Sequence, residues 1–212
     1  MRVLSVNLAR ARSIEYRGET HQTGIFKTPA HGPVTLTRMG VTGDRVCDLL
    51  NHGGADKAVY AFALDHYDHW RSQLGKPGLG PGAFGENLTM AGLDEAAICI
   101  GDQLSLGTAL LEVSQPRVPC FKLGVALGDD RAPALFTRHF HTGVYFRVVR
   151  EGEVSEGDGG EITYSHPERI SVYSLFRAFY DRDYPDREAL MARARSLPEL
   201  ASEWQGKLRT RR

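Results

Sequence analysis

The chain has 212 residues, of which 42% are hydrophobic and 25% charged, a balance that indicates one sizeable folded core and excludes an intrinsically disordered chain. Lys plus Arg and Asp plus Glu both number 26, so we expect no general attraction to nucleic acid or to an anionic membrane surface. No apolar run approaches the roughly 20 residues that span a bilayer, and the start of the chain lacks the apolar stretch of a secretory signal. The sequence therefore predicts a cytoplasmic protein.

Short β-type runs and turn signals dominate the first 165 or so residues. Strands are predicted for RVLSVNL, GPVTLTR, KAVYAFA, DQLSLG, ALLEVSQ and GVYFRVVR. Two helices interrupt them: LDHYDHWRSQLG, where Leu64, Tyr67 and Leu74 recur at helical spacing before Gly75, and APALFTRHF. The pattern indicates a mainly β chain, a β-barrel with a few peripheral helices, and not a doubly wound sheet.

The residue composition and the hydrophobic pattern of the sequence change near residue 168. No glycine occurs from Ile170 to Gln205, and three amphipathic stretches follow one another: SVYSLFRAFY, DREALMARARS and ELASEWQGKLRTRR. We predict a β-barrel domain over residues 1–168 and a small three-helix domain over residues 169–212. The apolar face of this tail should pack on the barrel or on a second copy of the chain, as in a homodimer. Its candidates are Tyr173, Leu175, Phe176, Phe179, Leu190, Leu200 and Trp204.

The three cysteines, Cys47, Cys99 and Cys120, show no CxxC spacing and are odd in number, which argues against a disulfide framework and a structural zinc site. In SQPRVPCFKLG, Cys120 follows Arg117 and precedes Lys122. Nearby cations lower a thiol pKa, and a thiolate serves a nucleophile or a soft-metal ligand. Free cysteines are also often small core residues, so local context leaves both interpretations open. Cys99 lies in an apolar run, which predicts that it is a packing residue of the core. The setting of Cys47 is ambiguous.

Four further polar positions lie near turns or strand ends. NHGGADKAVYAF places His52 and Lys57 on a loop before a strand, where paired glycines let backbone amides approach an anion. The segment lacks the spacing of a phosphate loop, and a glycine pair followed by an exposed lysine is more often simply a turn. Lys27 and Arg45 are single cations of a kind that is usually solvated.

Two polar pairs have a structural interpretation beside a functional one. Glu86 and Asn87 in GAFGENLTM either orient a polar ligand or cap the turn, and local grounds favour the turn. His66 and His69 are three apart on the first predicted helix, a spacing that suits a metal pair. No third ligand accompanies them in the sequence, which favours an ordinary surface face of the helix.

Six motifs, in chain order, resemble those of the MOSC domain family, named for the C-terminal domain of molybdenum cofactor sulfurase: TGIFK, GDRVCDLLNHGGADKAVYAF, HYDHW, FGENL, IGDQLSLG and SQPRVPCFKLG. The likeness runs from about Thr23 to Arg150. It is closest to the stand-alone bacterial type associated with resistance to N-hydroxylated purines, and the three-helix tail resembles the small C-terminal domain of that subgroup.

The resemblance implies a β-barrel that carries a pterin-based molybdenum cofactor, with Cys120 as the protein ligand to the metal. It implies reduction of N-hydroxylated bases, with electrons from a separate reductase because the chain has no flavin or iron–sulfur motif. His52 is the candidate proton donor, with Lys57 or Lys27 as electrostatic support. The same pocket should contain the remaining candidates, Arg45, Glu86, Asn87, Arg117 and Lys122.

Two other functions remain open. A sulfur carrier would hold a persulfide on Cys120 and pass the sulfur to another enzyme, without bound metal and without turnover. A binding module would hold pterin, nucleotide or another anion, and its affinity would not depend on the cysteine.

Overall fold

The structure, a computed structural model, describes residues 1–48 and 52–210. Its strands are β1 (Arg2–Leu8), β2 (Arg12–Tyr16), β3 (Glu19–Thr23), β4 (Thr28–Pro29), β5 (Val34–Thr37), β6 (Gly40–Val41), β7 (Val59–Ala63), β8 (Leu88–Ala91), β9 (Gln103–Leu106), β10 (Ala109–Pro116), β11 (Val144–Arg150), β12 (Gly152–Val154) and β13 (Gly160–Tyr164). Its helices are α1 (Tyr67–Leu74), α2 (Phe121–Leu127), α3 (Ala132–His139), α4 (Val172–Tyr180), α5 (Arg187–Arg195) and α6 (Ser202–Thr210). Short 3₁₀ turns cover Ala55–Lys57 and Leu64–His66.

The predicted strands and the two predicted barrel helices are confirmed. The six strand segments correspond to β1, β5, β7, β9, β10 and β11, and the helices to α1 and α3. Gly75 ends α1 in the left-handed conformation, with φ of 63°, as its position predicted. No helix within the described ranges has the length and apolar character needed to cross a membrane.

Eight strands form one sheet in the order β13-β9-β10-β11-β7-β8-β1-β4. The chain is therefore sheet-rich with six helices in its described part, but the strand pairing of those residues does not form a closed barrel. The start of β1 contacts the segment directly before β13, the strand at one end of the sheet. Arg2 and Gly159 form an isolated bridge, and the N–H of Val3 donates to the carbonyl of Asp158 at 2.9 Å.

Strand β7 separates two hydrophobic clusters. All five of its residues are buried, and because side chains alternate along a strand, they divide between the two faces. Val59, Ala61 and Ala63 belong to the main core, whereas Tyr60 and Phe62 belong to an aromatic cluster under α1, α2 and α3. Helices therefore cover the face of the sheet that carries Tyr60.

Helices α4 to α6 pack against the sheet and share its main core. Four predicted face residues are buried, and three are partly buried: Leu175, Phe176, Leu200 and Trp204, then Tyr173, Phe179 and Leu190. The indole N–H of Trp204 donates to the carbonyl of Pro116 at 3.2 Å. The tail is thus attached at the end of β10, directly before the cysteine segment. The domain boundary at residue 168 stays a prediction.

Candidate functional site

A pocket opens beyond the end of β10, where segments distant in sequence meet. Eight of the predicted candidates line it: Lys27, Arg45, His52, Lys57, Asn87, Arg117, Cys120 and Lys122. Glu86 does not belong to this lining. A close approach of two chain segments forms one wall, since a Cβ at Gly24 would lie 1.7 Å from the carbonyl oxygen of Arg45. Only glycine fits that position.

Cys120 lines this pocket, and a histidine and a carboxylate lie beside it. Its Sγ is 3.2 Å from Nε2 of His52, and Nδ1 of the same ring is 3.2 Å from Oδ2 of Asp48. The carboxylate fixes the orientation of the ring, and the ring faces the sulfur, as in sites that activate a thiol. Sequence reasoning missed Asp48, although its spacing of four residues before His52 suits such a contact.

The surroundings of Cys120 favour its thiolate. Burial alone would raise the pKa of the thiol, but the hydrogen bond from His52, the charge of Arg117 and the backbone N–H of Lys122 outweigh it and lower the pKa to about 7. The sequence suggested that the Lys122 ammonium would act directly. Instead, that ammonium lies 3.4 Å from Asp48, and the residue acts on the sulfur through its backbone N–H.

We expect alkylation of Cys120 by iodoacetamide to reach half of its maximal rate near pH 7, because the thiolate reacts and the pKa of this thiol is about 7. Cys99 should resist labelling, because it is buried and burial raises its pKa to about 11. Timed labelling from about pH 5 to about pH 9, followed by peptide mass spectrometry, measures both thiols. A midpoint for Cys120 near the ordinary thiol value would contradict this assignment.

Two of the pocket lysines form ion pairs with carboxylates outside the cysteine segment. Lys27 is buried and pairs with Asp44, and Lys57 pairs with Glu203 of α6. Burial lowers the pKa of Lys27, and Asp44 opposes that shift. These lysines therefore set the charge balance of the pocket, and their ammonium groups already have carboxylate partners.

Arg117 differs from those lysines because part of its guanidinium lacks a partner. The residue is 6% exposed and lies over the ring of Tyr60, 5.2 Å from the centroid. Its backbone is held by Thr142, whose hydroxyl donates to the Arg117 carbonyl at 2.7 Å. Nη1 is buried and has no hydrogen-bond partner within the described part of the chain. Since buried charged donors are almost always paired, this atom points to an anionic or polar ligand.

Glu86 and Asn87 both have structural contacts. Glu86 is fully buried and accepts hydrogen bonds from the Tyr67 hydroxyl and from the backbone N–H of Gly82 at 2.7 Å. It therefore shapes the loop before β8, in agreement with the turn interpretation. Asn87 lines the pocket, but its Nδ2 donates to Asp44 at 2.9 Å. Its amide holds the carboxylate that pairs with the buried lysine.

The other two cysteines occupy different settings. Cys99 is buried, with its Sγ 3.5 Å from the carbonyl of Ala97, which confirms the packing interpretation. Cys47 lines the pocket and is partly buried. All three cysteines are free thiols.

The comparisons with known proteins agree with this architecture. The family model of the MOSC domain matches residues 48–160. The chain is 43% identical over 199 residues to the uncharacterized protein YflK of Bacillus subtilis (strain 168), an alignment that covers 94% of this chain and 88% of that protein. It is 37% identical over 159 residues to a protein named reductase from Gibberella moniliformis, covering 74% of this chain but only 28% of that longer protein.

A solved structure shows the same fold over nearly the whole chain. The crystal structure of YiiM from Geobacillus stearothermophilus superposes with a TM-score of 0.82 at 30% identity, and the match covers 98% of this chain and 97% of that one. Family match, sequence relatives and fold coincide, and the chain belongs to the MOSC domain family.

Proposed function

We propose that the chain binds a pterin-based molybdenum cofactor through Cys120 and reduces N-hydroxylated bases or amines. One observation carries the proposal: the pocket places a thiol with a lowered pKa beside a buried guanidinium that has an unpartnered N–H. A thiolate suits a soft metal, and a guanidinium suits a phosphate. The similarity to a protein named reductase supports a reductive activity.

The residues present fit such a group. Cys120 offers a sulfur at the pocket edge, and Arg117 and Arg45 offer charge for a phosphate. Arg45 is exposed and has no ion-pair partner among residues 1–48 and 52–210. The barrel that the family implies is part of this proposal, and the bridge between Arg2 of β1 and Gly159, directly before β13, supports it.

Reduction of an N-hydroxylated amine consumes two electrons and two protons, breaks the N–O bond and yields the amine and water. When bound, the cofactor supplies the redox chemistry of this exchange. The electrons come from a separate reductase protein, which is a further part of the proposal, and the reaction takes place in the cytoplasm.

The chain itself holds and moves a proton. Nε2 of the His52 ring faces Sγ of Cys120, and Nδ1 faces the Asp48 carboxylate, which orients the ring. At this position His52 can donate a proton to the departing hydroxyl oxygen and recover a proton from solvent. Solvent supplies the second proton. Lys27 and Lys57 act through the charge balance of the pocket.

The same geometry favours a second candidate, the sulfur carrier. A thiol 3.2 Å from an imidazole that a carboxylate orients is arranged as an activated nucleophile. Such a thiolate could attack the outer sulfur of a persulfide donor, which breaks the donor's S–S bond, forms a persulfide on Cys120 and releases the donor as a thiolate.

The full chain, purified from cells that make the cofactor, tests the proposal. We expect equimolar molybdenum by elemental mass spectrometry, equimolar pterin by fluorescence, and reduction of an N-hydroxylated base with a chemical electron donor. Persulfide on Cys120 without molybdenum or turnover would favour the sulfur carrier. Bound pterin without molybdenum or turnover would favour a binding module.

A further inference from the structure

A second cluster of ionisable side chains lies outside the pocket. His66, Glu95 and His141 each offer a ligand atom, and these three atoms all lie within 4.8 Å of one another. They come from the turn before α1, the connection between β8 and β9, and the loop between α3 and β11. Three segments that are distant in sequence therefore meet at one point.

Two buried polar atoms in this cluster have no hydrogen-bond partner within the described residues. Glu95 is 1% exposed. Its Oε2 accepts from the N–H of Thr142 at 3.1 Å, while Oε1 is unpartnered. Nδ1 of His141 is also buried and unpartnered, and it lies 3.9 Å from Oε1. Buried polar atoms are rarely left unpaired, so this pair of atoms points to a missing partner between them.

The distance suits a bridging cation. A tetrahedral zinc ion bonded to a carboxylate oxygen and an imidazole nitrogen at about 2.1 Å each holds these two atoms about 3.4 Å apart. The measured 3.9 Å is too long for a hydrogen bond. The two side chains would move toward each other by about 0.5 Å to reach the tetrahedral separation.

Neighbouring rings hold the two imidazoles in place. The rings of His66 and His141 lie 4.4 Å apart, and Tyr173 stacks on His141 with centroids 4.6 Å apart.

We propose that His66, Glu95 and His141 bind a divalent transition-metal ion of the zinc class. Two imidazoles and one carboxylate suit zinc, whereas calcium and magnesium prefer oxygen ligands throughout. A water molecule completes the coordination. His139 is the nearest other candidate, because its buried Nε2 lacks a partner in the described chain and its ring lies 5.4 Å from the rings of both ligand histidines.

The site would be structural, and it adjoins the rear of the pocket. The Thr142 N–H bonds to Glu95, and the Thr142 carbonyl accepts from the hydroxyl of Tyr60, a pocket residue, at 2.8 Å. A metal at Glu95 would therefore fix the loop that positions Tyr60 and the Arg117 backbone. This inference does not depend on the proposed function.

The test uses the full chain carrying C47S and C120S, so that neither pocket thiol can bind zinc. After removal of metals with a chelator, zinc is titrated by calorimetry and cobalt by visible absorption. We expect equimolar binding, and we expect H141A and E95Q each to weaken it by about 100-fold or more, at least as much as the loss of a supporting group. H69A is the control, because His69 is an exposed histidine of α1, three residues after His66 and outside the group of three.

Melting temperature gives an independent measurement. Zinc should raise it for the parent and for H69A, because a ligand that binds only the folded state stabilises that state. It should leave H141A and E95Q unchanged. No zinc binding by the parent would overturn the proposal without any variant, as would equal affinity for zinc in the parent, H141A and E95Q.

Discussion

Replacing Cys120 with serine should remove nearly all turnover of an N-hydroxylated base. A hydroxyl is a hard, weakly acidic group and a poor substitute for a soft thiolate on molybdenum. Pterin content should fall less than activity, because the proposed phosphate contacts belong to Arg117 and Arg45 and not to sulfur. Steady-state rates with a chemical electron donor, together with molybdenum and pterin analysis of the same preparation, measure both effects.

Cys99→Ser provides the control for this substitution. Cys99 is a buried cysteine outside the pocket, so turnover per bound molybdenum should stay at the wild-type level. If Cys120→Ser keeps wild-type turnover with the same metal content, Cys120 is not the ligand, and its low pKa needs another explanation.

Replacing His52 with alanine should lower turnover by about 10²- to 10⁴-fold, the range for a lost proton donor. Molybdenum and pterin content should stay close to wild type, because His52 is proposed as a proton donor and not as a ligand of the metal or the pterin. The same substitution removes the hydrogen bond that lowers the pKa of Cys120, so the midpoint of alkylation should move to higher pH. Turnover, metal content and alkylation are measured on one preparation.

Two further variants test whether the loss of turnover in His52→Ala is specific to this histidine. His31→Ala removes an exposed histidine outside the pocket and should leave turnover unchanged. Asp48→Asn keeps the size of the side chain but weakens the orientation of the ring, so its loss should be smaller than that of His52→Ala. Wild-type turnover in His52→Ala would show that the proton comes from another source.

Six of the thirteen described strands were predicted, because alternating apolar residues and turn signals are local properties. Sequence reasoning failed at α2. Gly124 and Val125 are poor helix formers in a helix of seven residues, and the burial of Leu123 and Leu127 against the aromatic cluster sustains it. That packing depends on contacts with other segments, and no local pattern contains it.

The candidate site, like the fold, could be predicted only in part from the sequence. Motif order indicated which residues line the pocket, but not how their charges are distributed. Asp44 neutralises Lys27, and Glu203 from the last helix pairs with Lys57. The cluster of His66, Glu95 and His141 could not be predicted from the sequence for a related reason. These residues are distant in sequence, and only the fold brings them together.

Asp44 joins three segments of the chain. It accepts hydrogen bonds from the backbone N–H of Ala9 at 2.7 Å, from the ammonium of Lys27 and from the amide of Asn87. Because these contacts form during folding, this part of the pocket is already ordered when a ligand arrives. The entropy of ordering it is then lost at folding and not at binding. Diffusion and electrostatic attraction, and not rearrangement of this wall, should therefore limit the rate at which a ligand associates.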